Sequence, residues 1–140
     1  MKRIAVLVVL FFCVIYLNAQ HTGNVILGKW KDTDNTAIFE VYRTDNTYAV
    51  KIIALSKERE QGIKVLDKKN PDAGLRNRQV VGIIILSGLK YEKECWRGSK
   101  IYSPERGIYA DCVIRMPDEH TMLLQVSKGI FSTTKTWIKL

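Results

Sequence analysis

Histidine is almost missing from this sequence of 140 residues, which has two, beside three cysteines and three prolines. His21 lies near the N-terminus and His120 follows Pro-Asp-Glu, so neither has metal-ligand spacing to a Cys, Asp or Glu on a regular element. There is no Cys-x-x-Cys pair, no glycine-rich phosphate loop, and no nucleophile with a base or paired carboxylates. The expectation is a protein that is not an enzyme, with no catalytic residue, metal or cofactor. Asp118, Glu119 and His120 could hold a cation weakly, but a solvated turn is the simpler reading. Helical periodicity is scarce as well, which excludes a bundle and leaves extended structure.

The start, "MKRIAVLVVLFFCVIYLNAQ", has a cationic head at Lys2 and Arg3, an apolar run from Ile4 to Leu17 and a small residue at Ala19. That is the layout of a secretory signal peptide spanning residues 1–19. The run is short for a membrane span, so no stable span is expected once it is removed. Acylation of Cys13 is disfavoured by Phe11 and Phe12, which stand where small residues are needed. Removing nineteen residues leaves 121, a single domain over 20–140, exported to the periplasm or beyond. Of the 22 cationic side chains, 20 then remain against 14 acidic ones, a charge of +6. Those cations are scattered rather than gathered on a helix, and an exported protein seldom meets nucleic acid, so no nucleic-acid partner is expected. Solvated surface is the first reading of the charge, with attraction to anionic envelope components as the second.

Short runs rich in Val, Ile and Tyr, alternating or continuous and bounded by Asp, Asn, Gly or Pro, recur along the chain. They read as eight strands: "VILGKWKD", "AIFEVYR", "YAVKIIAL", "QVVGIIILSGLKYE", "CWRGSKIY", "GIYADCVIRM", "TMLLQVS" and "TTKTWIKL". The letters "TDNT" occur at Thr33–Thr36 and again at Thr44–Thr47, each suited to a tight turn. The expected fold class is all-β, a single antiparallel meander closed into a barrel of about eight strands, because closure removes open edges. A two-sheet sandwich is the alternative. Period-two alternation points Tyr48, Val50 and Ile52 inward, with Ile108, Ala110, Cys112, Ile114, Met122, Leu124 and Val126. Such a lining suits a filled core or a cavity for a small apolar or amphiphilic ligand.

Between Ser56 and Arg78 the pattern stops, in a segment with seven basic and four acidic side chains. "KEREQGIKVL" allows a helical turn or two before Gly62 breaks it. A connection this long in a compact domain is functional or disordered. Arg76 and Arg78 flank Asn77 and would project to one side, either to meet an anionic group or to bridge to Asp67 or Asp72. "VVGIIIL" is apolar on both faces, so it should be covered by this loop, or by a partner such as a second copy in a homodimer. Cys95 and Cys112 flank the turn "YSPERGI", either as a disulfide between adjacent strands or as two separate thiols.

In order and spacing, "ILGKW", "KNPD", "LRNRQVVGIIILSGLKY", "WRGSKIYSPERGIY" and a final Trp strand resemble the family catalogued as domain of unknown function 2147. Its members are small exported bacterial proteins, and the resemblance implies no established activity. The matching positions include Gly28, Trp30, Asn70, Pro71, Arg76, Arg78, Gly88, Trp96, Gly98, Tyr102, Gly107, Tyr109 and Cys112. The chain departs from the pattern at Ser132 and Thr133, where members often have Gly and Arg. "GKW" also resembles the Gly-x-Trp signature of lipocalin-like barrels, in which the tryptophan plugs the closed end beside a cation from the last strand, here Lys135 or Lys139. Gly28, Trp30 and Trp137 are thus expected to be structural. Arg76, Arg78, Trp96 and Tyr109 are the candidate ligand contacts, in a non-enzymatic envelope protein that binds a small, partly apolar ligand or, with a filled barrel, another protein.

Overall fold

Antiparallel pairing links all nine strands in the computed structural model, which describes residues 23–140; the expected signal segment lies outside them. In chain order the strands are β1 (Gly28–Asp32), β2 (Ala37–Thr44), β3 (Thr47–Leu55), β4 (Ile84–Glu92), β5 (Cys95–Arg97), β6 (Ile101–Ser103), β7 (Ile108–Asp118), β8 (Thr121–Lys128) and β9 (Phe131–Lys139). A short helix, α1 (Ser56–Gln61), follows β3 and stops at Gly62, the break that the sequence led one to expect, where a φ of 66° makes a left-handed cap. β1 pairs with β9, Trp30 opposite Lys139 and Asp32 opposite Trp137. β5 and β6 both pair with β7 and act as one broken stave, so the closed wall has eight positions.

The break has a steric cause. A Cβ on Gly98 would sit 2.5 Å from the Ser87 carbonyl oxygen, and the neighbouring Ser99 amide donates to that same oxygen at 3.0 Å. Facing it, β4 bulges at Ser87–Gly88, where Gly88 has φ 61°, so that Leu86 and Leu89 both turn inward. The stretch expected as one strand, Cys95–Tyr102, is therefore two.

Two further boundaries differ from the sequence reading. Val25–Leu27 do not extend β1; the chain crosses the barrel end instead, with Gly23 accepting a bond from the Trp96 indole at 3.2 Å and Asn24 one from Tyr48 at 2.7 Å. Val80–Ile83 are not strand but loop, pinned where the Ile52 amide donates to Ile83 at 3.0 Å and the Gly82 amide to Ile52 at 2.7 Å. Val80 and Ile83 are buried by this, whereas Ile84 stays 53% exposed, so the cover expected for "VVGIIIL" is only partial.

Alternation places side chains as expected: Tyr48, Val50, Ile52, Ala110, Cys112, Ile114, Met122 and Leu124 are all buried, with Ile108 and Val126 half-buried. Trp30, Trp96, Leu86, Leu89, Ile114, Met122 and Leu124 are the bulk of the fully buried set, and Phe39 stacks on Trp137 at 3.8 Å between ring centroids. These side chains fill the barrel's centre.

Of the two readings of the cysteines, the separate thiols match the structure and the disulfide does not. Cys95 and Cys112 are both free and buried. Trp96 lies opposite Ile114, so Cys95 stands opposite Arg115, three positions from Cys112. The two thiols also leave opposite faces of the wall, since Cys112 points inward with Ile114 while Cys95 neighbours the inward Trp96. Burial pushes the Cys112 thiol up to about 12.

Candidate functional site

One end of the barrel is sealed. The Trp30 indole donates to the Ile26 carbonyl at 2.9 Å, and the Lys139 ammonium lies 5.3 Å from the Trp30 ring while reaching the Val25 carbonyl at 3.3 Å. Of the two lysines proposed, register selects Lys139, because Lys135 faces Leu124 further along β9. Gly28, at φ 129°, leaves room for the lysine stem: a Cβ there would be 3.3 Å from Lys139 Cε. Trp96, a candidate ligand contact in the sequence reading, belongs to this sealed end, 2% exposed with its indole already bonded to Gly23.

The opposite end is capped by the long connection. Leu66 bridges to Gln79 and the Val80 amide donates to Val65 at 2.9 Å, so the loop folds back on itself. At its centre Asp67 is fully buried and Asn70 is 1% exposed. The Tyr102 hydroxyl donates to Asp67 Oδ1 at 2.6 Å, while Oδ2 accepts from Asn70 at 2.8 Å and from Arg78 Nε at 3.0 Å. Arg76 Nε donates to the Asn70 carbonyl at 2.8 Å, and Asn70 Oδ1 accepts from the Asp72 amide at 2.8 Å. No buried side-chain polar atom among the described residues lacks a partner. A carboxylate that accepts three bonds from three different side chains serves as a lock. Arg78 makes the bridge to Asp67 that the sequence reading weighed, while Asn70 and Tyr102 as its other partners were not foreseen.

Tyr102 is held as the neutral phenol to about 12, chiefly by burial and then by its bond to Asp67. Its folded pKa lies above the ordinary value, so its contribution to stability is complete below pH 10 and is lost as pH rises toward 12. Cys112 acts in the same direction from pH 9 upward. Urea midpoints followed from pH 8 to 12 should fall steeply. Tyr102→Phe should start lower at pH 8 but decline more gently, and parallel curves would show that this phenol is not the titrating lock.

Tyr109 packs beside Tyr102 at 4.7 Å between ring centroids and remains 44% exposed. Its face borders a groove of about 270 Å³ on the outer wall at the capped end, with Pro71, Lys100, Asp111 and Lys128 around it. Lys100 and Lys128 form no ion pair among the described residues. The β8–β9 hairpin stands beyond this groove. Phe131–Lys135 pair with β8 only and are exposed on both faces, and Ile130 and Phe131 are 94% and 77% exposed. The sequence reading missed these two, though "KGIF" beside a glycine turn was a visible sign.

The Pro-Asp-Glu-His turn uses Asp118 as a cap for the His120 amide at 2.8 Å and for Thr121, which holds the carboxyl below its ordinary range. No group of three His, Cys, Asp or Glu side chains is gathered among the described residues, and no helix among them is long and apolar enough to cross a membrane.

Residues 28–139 match the family model described as "Uncharacterized protein conserved in bacteria (DUF2147)". The chain belongs to this family. The DUF2147 match begins at Gly28 and ends at Lys139, the two residues that meet at the sealed end. Among solved structures, the fold is similar to Protein HP1028 from the human pathogen Helicobacter pylori, described as belonging to the lipocalin family. The TM-score is 0.71 at 21% identity over 82% of each chain, which establishes a shared lipocalin-like fold for this DUF2147 protein. No curated protein sequence matches it.

Proposed function

We propose that the protein is an exported, non-enzymatic binding protein of the bacterial envelope that holds a small, partly apolar anion at the rim of its barrel. The observation that carries this reading is Tyr109, a half-exposed ring braced by Tyr102 in a groove with two lysines that form no ion pair among the described residues. An aromatic face suits the apolar part of a ligand and the ammonium groups suit its charge. The packed interior argues for the rim over the lumen, and the lipocalin-like fold supports binding over chemistry. Arg76 and Arg78, engaged with Asn70 and Asp67, hold the cap in this reading and do not receive the ligand.

Titration with the anionic naphthalene probe 8-anilinonaphthalene-1-sulfonate provides the test. Saturable fluorescence enhancement is expected, weakened about tenfold by Tyr109→Ala with Lys128→Ala, as the loss of one charge-assisted contact and one stacking contact predicts. A second reading, docking of a protein partner, rests on the one-sided pairing and bare apolar tip of β9. Enhancement that survives the Tyr109 variant but is lost in Ile130→Ser with Phe131→Ser would move the site to that tip.

A further inference from the structure

On the outer wall toward the sealed end, four cations face a concavity of about 470 Å³: Lys90, Lys93, Arg97 and Arg115, with Glu92 and Cys95 completing its lining. Register explains how they meet. Lys90 lies directly opposite Arg97, and since Trp96 is opposite Ile114, Arg115 stands across from Cys95. Like charges facing each other across a ladder are destabilising. None of the four forms an ion pair among the described residues, nor does Glu92. Lys93 adds a second oddity, standing at φ 51° in a turn position where Asn or Gly would be at ease. Arg115 is aimed by a bond from Nη1 to Gln125 at 3.3 Å.

Four cations with one carboxylate, held unneutralised on a concave wall, break local rules of the kind proteins set aside at functional sites. We propose that this groove is a second binding site, for a phosphate-type anion, free or displayed on a lipid headgroup. Two guanidinium forks and two ammonium groups match the several oxygens and the multiple charge of such a group. The sulfhydryl floor explains why a pocket forms: Cys95 is small and turns its Sγ to the Glu92 carbonyl at 3.3 Å, leaving space between the longer neighbours. The site is separate from the rim groove, which shares no residue with it.

Inorganic pyrophosphate titrated into isotope-labelled protein should shift the backbone amides of Lys90–Arg97 and Val113–Arg115, more weakly as salt rises. Arg97→Ala with Arg115→Ala should lower the affinity at least about tenfold, the worth of a pair of charge-assisted bonds. Both arginines are exposed, so the variant should melt no lower than the parent. Glu92→Gln should bind more tightly. In a parallel arm, vesicles of phosphatidylcholine with and without phosphatidylglycerol are sedimented with each protein. Vesicle binding lost in the double-arginine variant, without any response to pyrophosphate, would identify a headgroup as the source of the anion. Absence of binding in both arms, or binding equal in parent and variant, overturns the site. Tyr109→Ala should leave both arms unchanged, which separates this outcome from the fate of the rim reading.

Discussion

Gly107→Ala should remove about 3–5 kcal/mol of stability, placing it among the most damaging single-methyl additions the chain can suffer. Two costs coincide at this residue. Its φ of 67° lies in the left-handed region, and a Cβ there would come within 2.0 Å of the Lys69 carbonyl oxygen. That oxygen is backbone of the capping loop, so relief requires the loop to lift from the β6–β7 turn. Gly62 is the control, with φ 66° and nothing within 4 Å of its Cβ position. Gly62→Ala should cost only about 1 kcal/mol, the conformational penalty alone. Urea denaturation of both variants separates the two contributions. Equal losses would mean that the approach of Gly107 to Lys69 carries no energy.

Asp67→Ala should be of similar size, about 3–5 kcal/mol, because it strips the shared partner from a buried phenol, a buried amide and a half-exposed arginine together. A folded domain holds roughly 5–15 kcal/mol in reserve, so this variant is expected to survive in the cold and melt early. Damage should concentrate in the cap. Hydrogen exchange over Leu66–Val80 should accelerate far more than over β8, and trypsin should cut at Lys68 or Lys69. Adding Tyr102→Phe should cost little more, since the two side chains share one bond at 2.6 Å and are therefore coupled. Additive losses in the double variant, or exchange that rises evenly over the whole chain, would remove Asp67 from its role as the lock.

The wall of the barrel was legible because its signal is periodic. Val50, Ile52, Met122 and Leu124 declare their facing by alternation alone, and Gly28-x-Trp30 with Trp137 announced the seam. Cys95 and Cys112 show where that legibility stops. Proximity along the chain suggested a bridge, but a shift of one residue reverses facing, and a break at Gly98 sets the register. Gly98 matters through the backbone it approaches across strands, which sequence order does not reveal. The cap was hidden for a related reason: Asp67 was visible only as one of two acids that an arginine could bridge to, with no sign of burial. Its burial follows from Tyr102, 35 positions away in sequence. Lys90, Lys93 and Arg97 stand close in sequence, but only strand pairing shows that Lys90 faces Arg97 and that Arg115 joins them.

The meeting of Trp30 with Lys139 sets an order of events for a chain emerging from the ribosome or a translocation pore. The piece that shuts the cylinder, Phe131–Lys139, comes last of the described strands, and its partner β1 comes first among them. Until it arrives, every earlier strand belongs to an unfinished sheet with two bare margins, and contacts so distant in sequence form slowly. The polypeptide is thus kept pliable until β9 is available, and the cylinder stiffens only once that strand meets β1.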